Sequence, residues 1–162
     1  MVTQLRSRYA EIWQILDAVP DPELPSISIT DLGIVRDVRE EPDEVVVALT
    51  PTYSGCPATA VIEADVTRAL HQHGVEHVRI ERRLAPAWTT DWITPRGRAR
   101  LEAHGIVPPA SLADGPLVSV IVRCPRCASS NTSEISRFGS TPCKALYRCE
   151  DCREPFDYVK PH

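Results

Sequence analysis

Six cysteines carry most of the chemistry available to this sequence, and four of them fall into two spaced pairs. Cys124-Pro125-Arg126-Cys127 is followed, after 21 intervening residues, by Cys149-Glu150-Asp151-Cys152. A CxxC turn bends so that its two sulfurs converge on one ion, and two such turns complete a tetrahedral four-sulfur site. Four thiolates leave no open position, so Cys124, Cys127, Cys149 and Cys152 read as ligands of a structural rather than a catalytic zinc. The same sulfurs would also suit iron or an iron–sulfur cluster, because thiolate ligation alone does not separate these metals. Such a module has too little core to be stable alone, so the metal would supply much of its folding free energy.

The remaining two cysteines stand apart. Cys56 lies in Thr50-Pro51-Thr52-Tyr53-Ser54-Gly55-Cys56-Pro57. Pro57 suits the first position of a helix, where its missing N–H costs nothing. Cys56 would then face unpaired backbone N–H groups and the positive end of the helix dipole, both of which favour thiolate. The competing reading is a small packing cysteine at a tight turn. Cys143, six residues before Cys149, reads as a spare ligand, a thiol beside Lys144, or an inert strand residue; the last is preferred.

These groups must be positioned by a small set of elements. Leu5, Tyr9, Ile12, Trp13, Leu16 and Val19 recur at helical spacing, and Pro20 and Pro22 stop that helix. Asp21, Glu23 and Asp31 sit in the proline-rich stretch that follows. They could serve a metal, although capping of turns is the favoured role. Ile34–Val38 alternates as a strand, Glu41-Pro42-Asp43 turns, and Val45–Leu49 returns as a buried strand, giving a hairpin. The helix after Pro57 ends at His71-Gln72-His73-Gly74. A third strand spans Val78 to Leu84. Thr94 and Pro95 then cap and start a further helix that Gly105 ends. Between them lies a loop with Trp88 and Trp92, where core packing is expected for one ring but not for both.

Helix, two strands, helix, strand, helix describes an α+β layer. The expected organisation is a small α/β domain over residues 1–107, a linker over 108–117, and a small β ribbon over 118–162. Within the ribbon, Leu117–Arg123 reads as a strand leading into the first CxxC.

Composition limits the function classes. The chain of 162 residues is 43% hydrophobic and 25% charged, as expected for a soluble globular protein. No apolar run approaches the ~20 residues needed to span a bilayer, and the first residues lack the apolar core of a signal peptide. The expected location is cytoplasmic, where cysteines point to metal or thiol chemistry rather than to disulfides. The net charge is −4. With no basic cluster, and with Glu150-Asp151 on a knuckle, nucleic acid is not an expected partner.

Four stretches resemble, in order, the motifs of the MIP18/DUF59 family. They are Asp21-Pro22-Glu23-Leu24-Pro25, Thr30-Asp31-Leu32-Gly33-Ile34-Val35, Thr50–Pro57 and Pro86-Ala87-Trp88. After the tryptophan the chain departs from the common family form and reads Thr89-Thr90-Asp91-Trp92. That departure, the fused CxxC…CxxC module and Phe138–Cys149 look like the phenylacetate-degradation branch of the family. The resemblance implies a small α/β fold linked to iron–sulfur cluster assembly. It also implies an accessory, non-catalytic component of the multicomponent phenylacetyl-CoA 1,2-epoxidase, working with its oxygenase and reductase components. The sequence itself offers neither paired Glu-x-x-His motifs nor a Gly-rich nucleotide loop. By the resemblance, Cys56 carries over as a transient iron or cluster ligand, with Asp21, Glu23, Asp31, Thr50 and Thr52 around it. One thiolate per chain cannot hold a cluster alone, which makes a homodimer one expectation. The alternative is a docking protein, in which the zinc ribbon and the Trp88/Trp92 loop contact partners and Cys56 is structural.

Overall fold

Val45–Leu49 is buried at all five positions, which requires cover on both faces and a neighbour on each side. The computed structural model, which describes residues 2–110 and 121–161, supplies both. The chain divides into two compact units, 1–88 and 89–162.

The first unit holds α1 (Val2–Asp17), β1 (Val35–Glu40), β2 (Val45–Leu49), α2 (Ala58–Gln72) and β3 (Val78–Arg82). The sheet order is β1-β2-β3, with β1 antiparallel and β3 parallel to β2. Parallel pairing of β2 and β3 needs a crossover, and α2 provides it. Ile62, Val66 and Leu70 recur every fourth residue and form the buried stripe of α2. α1 packs against α2 and β1, and α2 against β3. Arg82 of β3 reaches Glu63 of α2, so the helices lie on the face that carries Val78, Ile80 and Arg82. The other face carries ion pairs. Arg39 and Arg83 both bind Glu81, and both also reach Asp37. In register, Val46 lies between Arg39 and Arg79, and Ala48 between Asp37 and Glu81. Both residues are fully buried despite these charged neighbours.

The proline-rich stretch is held by its own backbone. Asp21 N–H donates to Ile27 O, Ile29 N–H to Val19 O, and Ile34 N–H to Ile29 O. Gly33 takes φ 72°, a conformation that L side chains rarely adopt, and so lets the chain turn into β1.

The second unit holds a 3₁₀ turn (Thr90–Trp92), α3 (Pro95–Ala103), β4 (Ile106–Val107), β5 (Thr132–Ser136), β6 (Lys144–Cys149) and β7 (Pro155–Val159). Its sheet order is β4-β7-β6-β5, with β4 parallel to β7 and the other pairs antiparallel. Val122, Ala145, Phe156 and Tyr158 form a small core beside Cys124 and Cys149. Thr94 caps α3 as expected, its hydroxyl accepting from Gly97 N–H at 3.0 Å, with Pro95 at the first position.

Two boundaries differ from expectation. The unit boundary falls after Trp88 rather than after residue 107, because β4 adds itself to β7 and α3 groups with it. Of the strand expected over 117–123, residues 117–120 lie outside the described residues, as does most of the expected linker. Ile121–Arg123 is irregular, although Val122 is buried and its carbonyl accepts from the Thr132 hydroxyl.

Candidate metal centres

The four ribbon cysteines come from two matching turns. Cys124 N–H donates to Ser129 O at 2.9 Å, and Cys149 N–H donates to Glu154 O at 3.0 Å. Within each turn a backbone N–H points at the first sulfur: Arg126 N–H at Cys124 Sγ (3.4 Å) and Cys152 N–H at Cys149 Sγ (3.5 Å). Each turn is closed by a residue at positive φ, Ala128 (59°) after Cys127 and Arg153 (65°) after Cys152. The two turns face each other so that all four sulfurs lie within 4.8 Å of one another.

Cys124 and Cys152 sulfurs are 3.7 Å apart, and those of Cys127 and Cys149 are 3.5 Å apart. A tetrahedron of Zn–S bonds near 2.3 Å has edges of about 3.8 Å, so the donor set fits the ion. The largest influence on Cys149 is the Cys152 N–H, and it pulls the thiol down to about 7 against the effect of burial. At Cys127 the Ser129 N–H pulls the same way. Proton sharing with Cys149, together with burial, outweighs it and pushes this thiol up to about 12. Without a cation the cluster therefore loses one proton readily and holds the next; a bound ion supplies the charge that releases the rest.

Cys56 stands one residue before the N-cap of α2. The sequence placed Pro57 at the first helical position. In the structure Pro57 is the N-cap, with φ −65° and ψ −24°, and makes no side-chain cap. Cys56 N–H donates to Tyr53 O, and Cys56 O accepts from Thr59 N–H, so a tight turn presents the half-buried thiol. Thr50 is buried, and its N–H donates to Ile34 O at 2.9 Å, which ties this loop to the one containing Asp31. Asp31 is buried, and its N–H donates to the Ser28 hydroxyl. Thr52 is half-buried.

Asp21 takes the capping role favoured for it. Its Oδ1 accepts from Glu23 N–H (2.9 Å) and Leu24 N–H (2.8 Å). Glu23 is half-buried beside it. Among the described residues, the four ribbon cysteines form the one group of three or more His, Cys, Asp or Glu close enough to share an ion. The structure does not gather Cys56, Asp21, Glu23 and Asp31 into a second such group.

Trp88 requires a correction. Core packing was expected for one of the two rings and partner contact was a candidate role for both. Trp88 is the packed one, buried with its Nε1 donating to Leu32 O at 2.9 Å, so the candidate role at a partner surface falls away for it. It pins the loop that precedes β1. Trp92 is half-buried in the 3₁₀ turn. Cys143 is buried just before β6 with Thr141 Oγ1 3.1 Å from its sulfur, and it does not join the four-sulfur group. Reasoning from sequence missed the Lys144–Asp157 pair at 3.2 Å, in which the lysine is buried and the aspartate half-buried. Gly139 is its companion: a Cβ there would meet Asp157 Oδ1 at 2.9 Å and Lys144 Cβ at 3.3 Å. The glycine in Phe138-Gly139-Ser140 was the available signal.

Comparison with known proteins follows the same division. Residues 9–81 match the family model described as iron–sulfur cluster assembly protein, and residues 114–160 match the PaaD zinc beta ribbon domain. The chain is similar to a DUF59 domain of unknown function from Bacillus anthracis, at 29% identity and a TM-score of 0.53. That match covers 57% of this chain and 89% of the other. A conserved hypothetical protein from Thermotoga maritima is 29% identical, covering 56% and 89%, with a TM-score of 0.47. Fold and site thus define an iron–sulfur-assembly-type domain joined to a four-cysteine ribbon. Along 150 residues the chain is 53% identical to an Escherichia coli (strain K12) protein named as one subunit of a "Putative 1,2-phenylacetyl-CoA epoxidase", covering 93% of this chain and 91% of that one. The chain belongs to the PaaD family.

Proposed function

We infer that this protein is a cytoplasmic accessory component of a phenylacetyl-CoA epoxidase, and that it assists assembly of a metal centre in a partner rather than acting on the aromatic ring. The observation that carries the reading is the union in one chain of an assembly-type domain and a PaaD ribbon, at 53% identity to a protein named as a component of such an enzyme. The ribbon holds one structural zinc through Cys124, Cys127, Cys149 and Cys152. Iron, or a small iron–sulfur cluster, is cargo. Cys56 takes it transiently at the head of α2, where the half-buried thiol remains open to exchange. Thr50 and Asp31 hold the two loops in place through their backbone bonds, Asp21 and Glu23 shape the preceding turn, and Thr52 is half-buried four residues before Cys56.

The test is to replace Cys56 with Ser and co-express the variant with the oxygenase and reductase components. Iron content and turnover of the purified epoxidase should both fall, while zinc per chain stays at one. Full iron loading and full activity with Cys56→Ser would exclude the carrier role.

A second reading, docking without cargo, is favoured by Phe138. This ring is 67% exposed yet held firmly, with Lys160 Nζ 4.6 Å from its centroid and Ser136 Oγ bonded to both Phe138 N–H and O. Nearby Ile135 is 53% exposed on the edge strand β5. Phe138→Ala should then abolish co-purification with the epoxidase components and leave zinc content intact.

A further inference from the structure

The outer edge of β3 has a pattern that matches itself. β3 ends the sheet, with β2 on one side. Val45 N–H donates to His77 O, and Arg83 N–H donates to Leu49 O, so the odd-numbered residues of β3 bond inward to β2. Val78, Ile80 and Arg82 therefore aim their N–H and C=O groups outward. Among the described residues no backbone hydrogen bond reaches these groups. An open, unpaired edge of this kind is a template for another strand.

The side chains decide which strand. If β3 pairs antiparallel with the β3 of a second chain, centred on Ile80, then Ile80 faces its own copy as a hydrogen-bonded pair. Val78 faces Arg82 in the same way at both ends. Arg79 then stands opposite Glu81 of the other chain, twice, at the non-hydrogen-bonded positions where side chains come closest. Each cross-chain pair adds to the partners these residues keep in their own chain, Glu41 and Glu44 for Arg79 and Arg39 and Arg83 for Glu81. The outward groups would also allow centres on Val78 or on Arg82, but the first sets Ile80 against Glu76 and the second sets Arg82 against its own copy. The free backbone groups and the charges thus select the same register, and its two-fold symmetry closes the assembly at two chains. The space beside the strand is also open. A groove along α2, lined by Ala60, Ala64, Thr67 and Ile80, leaves room for a second helix, and Val61 and Leu84 are exposed near it.

We propose that β3 is a homodimer interface at which two copies of this chain join their three-stranded sheets into one continuous six-stranded sheet through Ile80, with Arg79–Glu81 pairs across the junction. The proposal does not depend on the metal reading, since neither unit's cysteines enter it.

Sedimentation of the zinc-loaded full chain tests it. The wild type should run at twice the mass of one chain, and the Ile80 amide should exchange slowly despite its edge position. Arg79→Glu alone and Glu81→Arg alone each place like charges across the junction and should run as monomers. An equimolar mixture of the two variants restores opposite charges at both crossings and should form a one-to-one dimer. Circular dichroism and thermal unfolding check that each variant is folded. Ile80→Pro is the second probe: the N–H it removes points outward, so the β2–β3 ladder keeps its bonds, and the variant, checked for folding in the same way, should be a monomer. A monomeric wild type, a dimer that survives both charge changes, or folded variants that fail to pair when mixed would overturn the proposal. A wild type that is monomeric but gains Ile80 protection on adding an epoxidase component would assign the edge to that partner instead.

Discussion

Ala128 and Arg153 show how far the metal turns constrain single residues. Both hold positive φ, 59° and 65°, where an L side chain crowds its own backbone. Glycine relieves that crowding but gives the unfolded chain more freedom, so the effects partly cancel. Ala128→Gly should still gain about 0.5–1 kcal/mol of stability in the zinc-loaded protein, read from urea unfolding. Trp88 gives the opposite case. Trp88→Phe keeps most of the ring but leaves the Leu32 carbonyl without its donor, and should cost about 1–3 kcal/mol in the same assay. The spacing of the cysteines was enough to foresee that these four sulfurs would gather in one group, because a CxxC turn is a local device. The roles of the two tryptophans were not legible in the same way. Nothing within a few residues of Trp88 reveals that its donor will reach Leu32, which lies 56 positions earlier in the chain.

At the scale of elements, local signals were sufficient wherever an element's ends are fixed by its own residues. Thr94-Pro95 announces the start of α3, and the hydroxyl bond to Gly97 N–H fulfils it; Thr94→Ala should cost about 1 kcal/mol in thermal unfolding. The buried β2 run, the hairpin with β1 and the helix after Pro57 were legible for the same reason. The two-residue β4 was not. It is too short to show any periodicity, and its partner β7 lies about fifty residues further on. The charged face of the sheet was also hidden, since Asp37, Arg39, Glu81 and Arg83 meet only after β2 brings their strands together. That face has a testable consequence. Hydrogen bonds from Arg39, then Arg83, hold Glu81 down to about 2 from its ordinary 4.5. The fold therefore favours the ionised form. Its contribution is fully present above about pH 4.5 and fades as pH falls toward 2. Glu81→Gln should lower the unfolding midpoint at pH 6, and the difference from wild type should vanish near pH 2.

The whole molecule is two units with different sources of stability. The first has its own apolar core of Ile12, Leu16, Val47, Val66 and Leu70. The ribbon core is a handful of side chains around the sulfurs. Removing zinc with a strong chelator should therefore abolish the ribbon's share of the signal and leave a cooperative transition for the first unit. Cys149→Ser should do the same without chelator, whereas Cys56→Ser should not. Loss of all cooperative unfolding on chelation would show that the first unit is not independently stable.

The paired turns also say something about how the ribbon is assembled in time. Cys149 and Cys152 flank the short connection between β6 and β7, so they come together by closing a small loop. Cys124 and Cys127 must meet them across separations of 28 and 22 residues. A link of that span removes conformational freedom from the unfolded chain, worth about 3 kcal/mol if a metal bridge acts as a disulfide would. The β6–β7 hairpin is then the platform that captures the ion with two sulfurs, and the turn at Cys124 is the clasp that shuts afterwards. Lengthening the chain between Cys127 and β5 should slow zinc uptake in its second, closing phase and leave the first encounter unchanged.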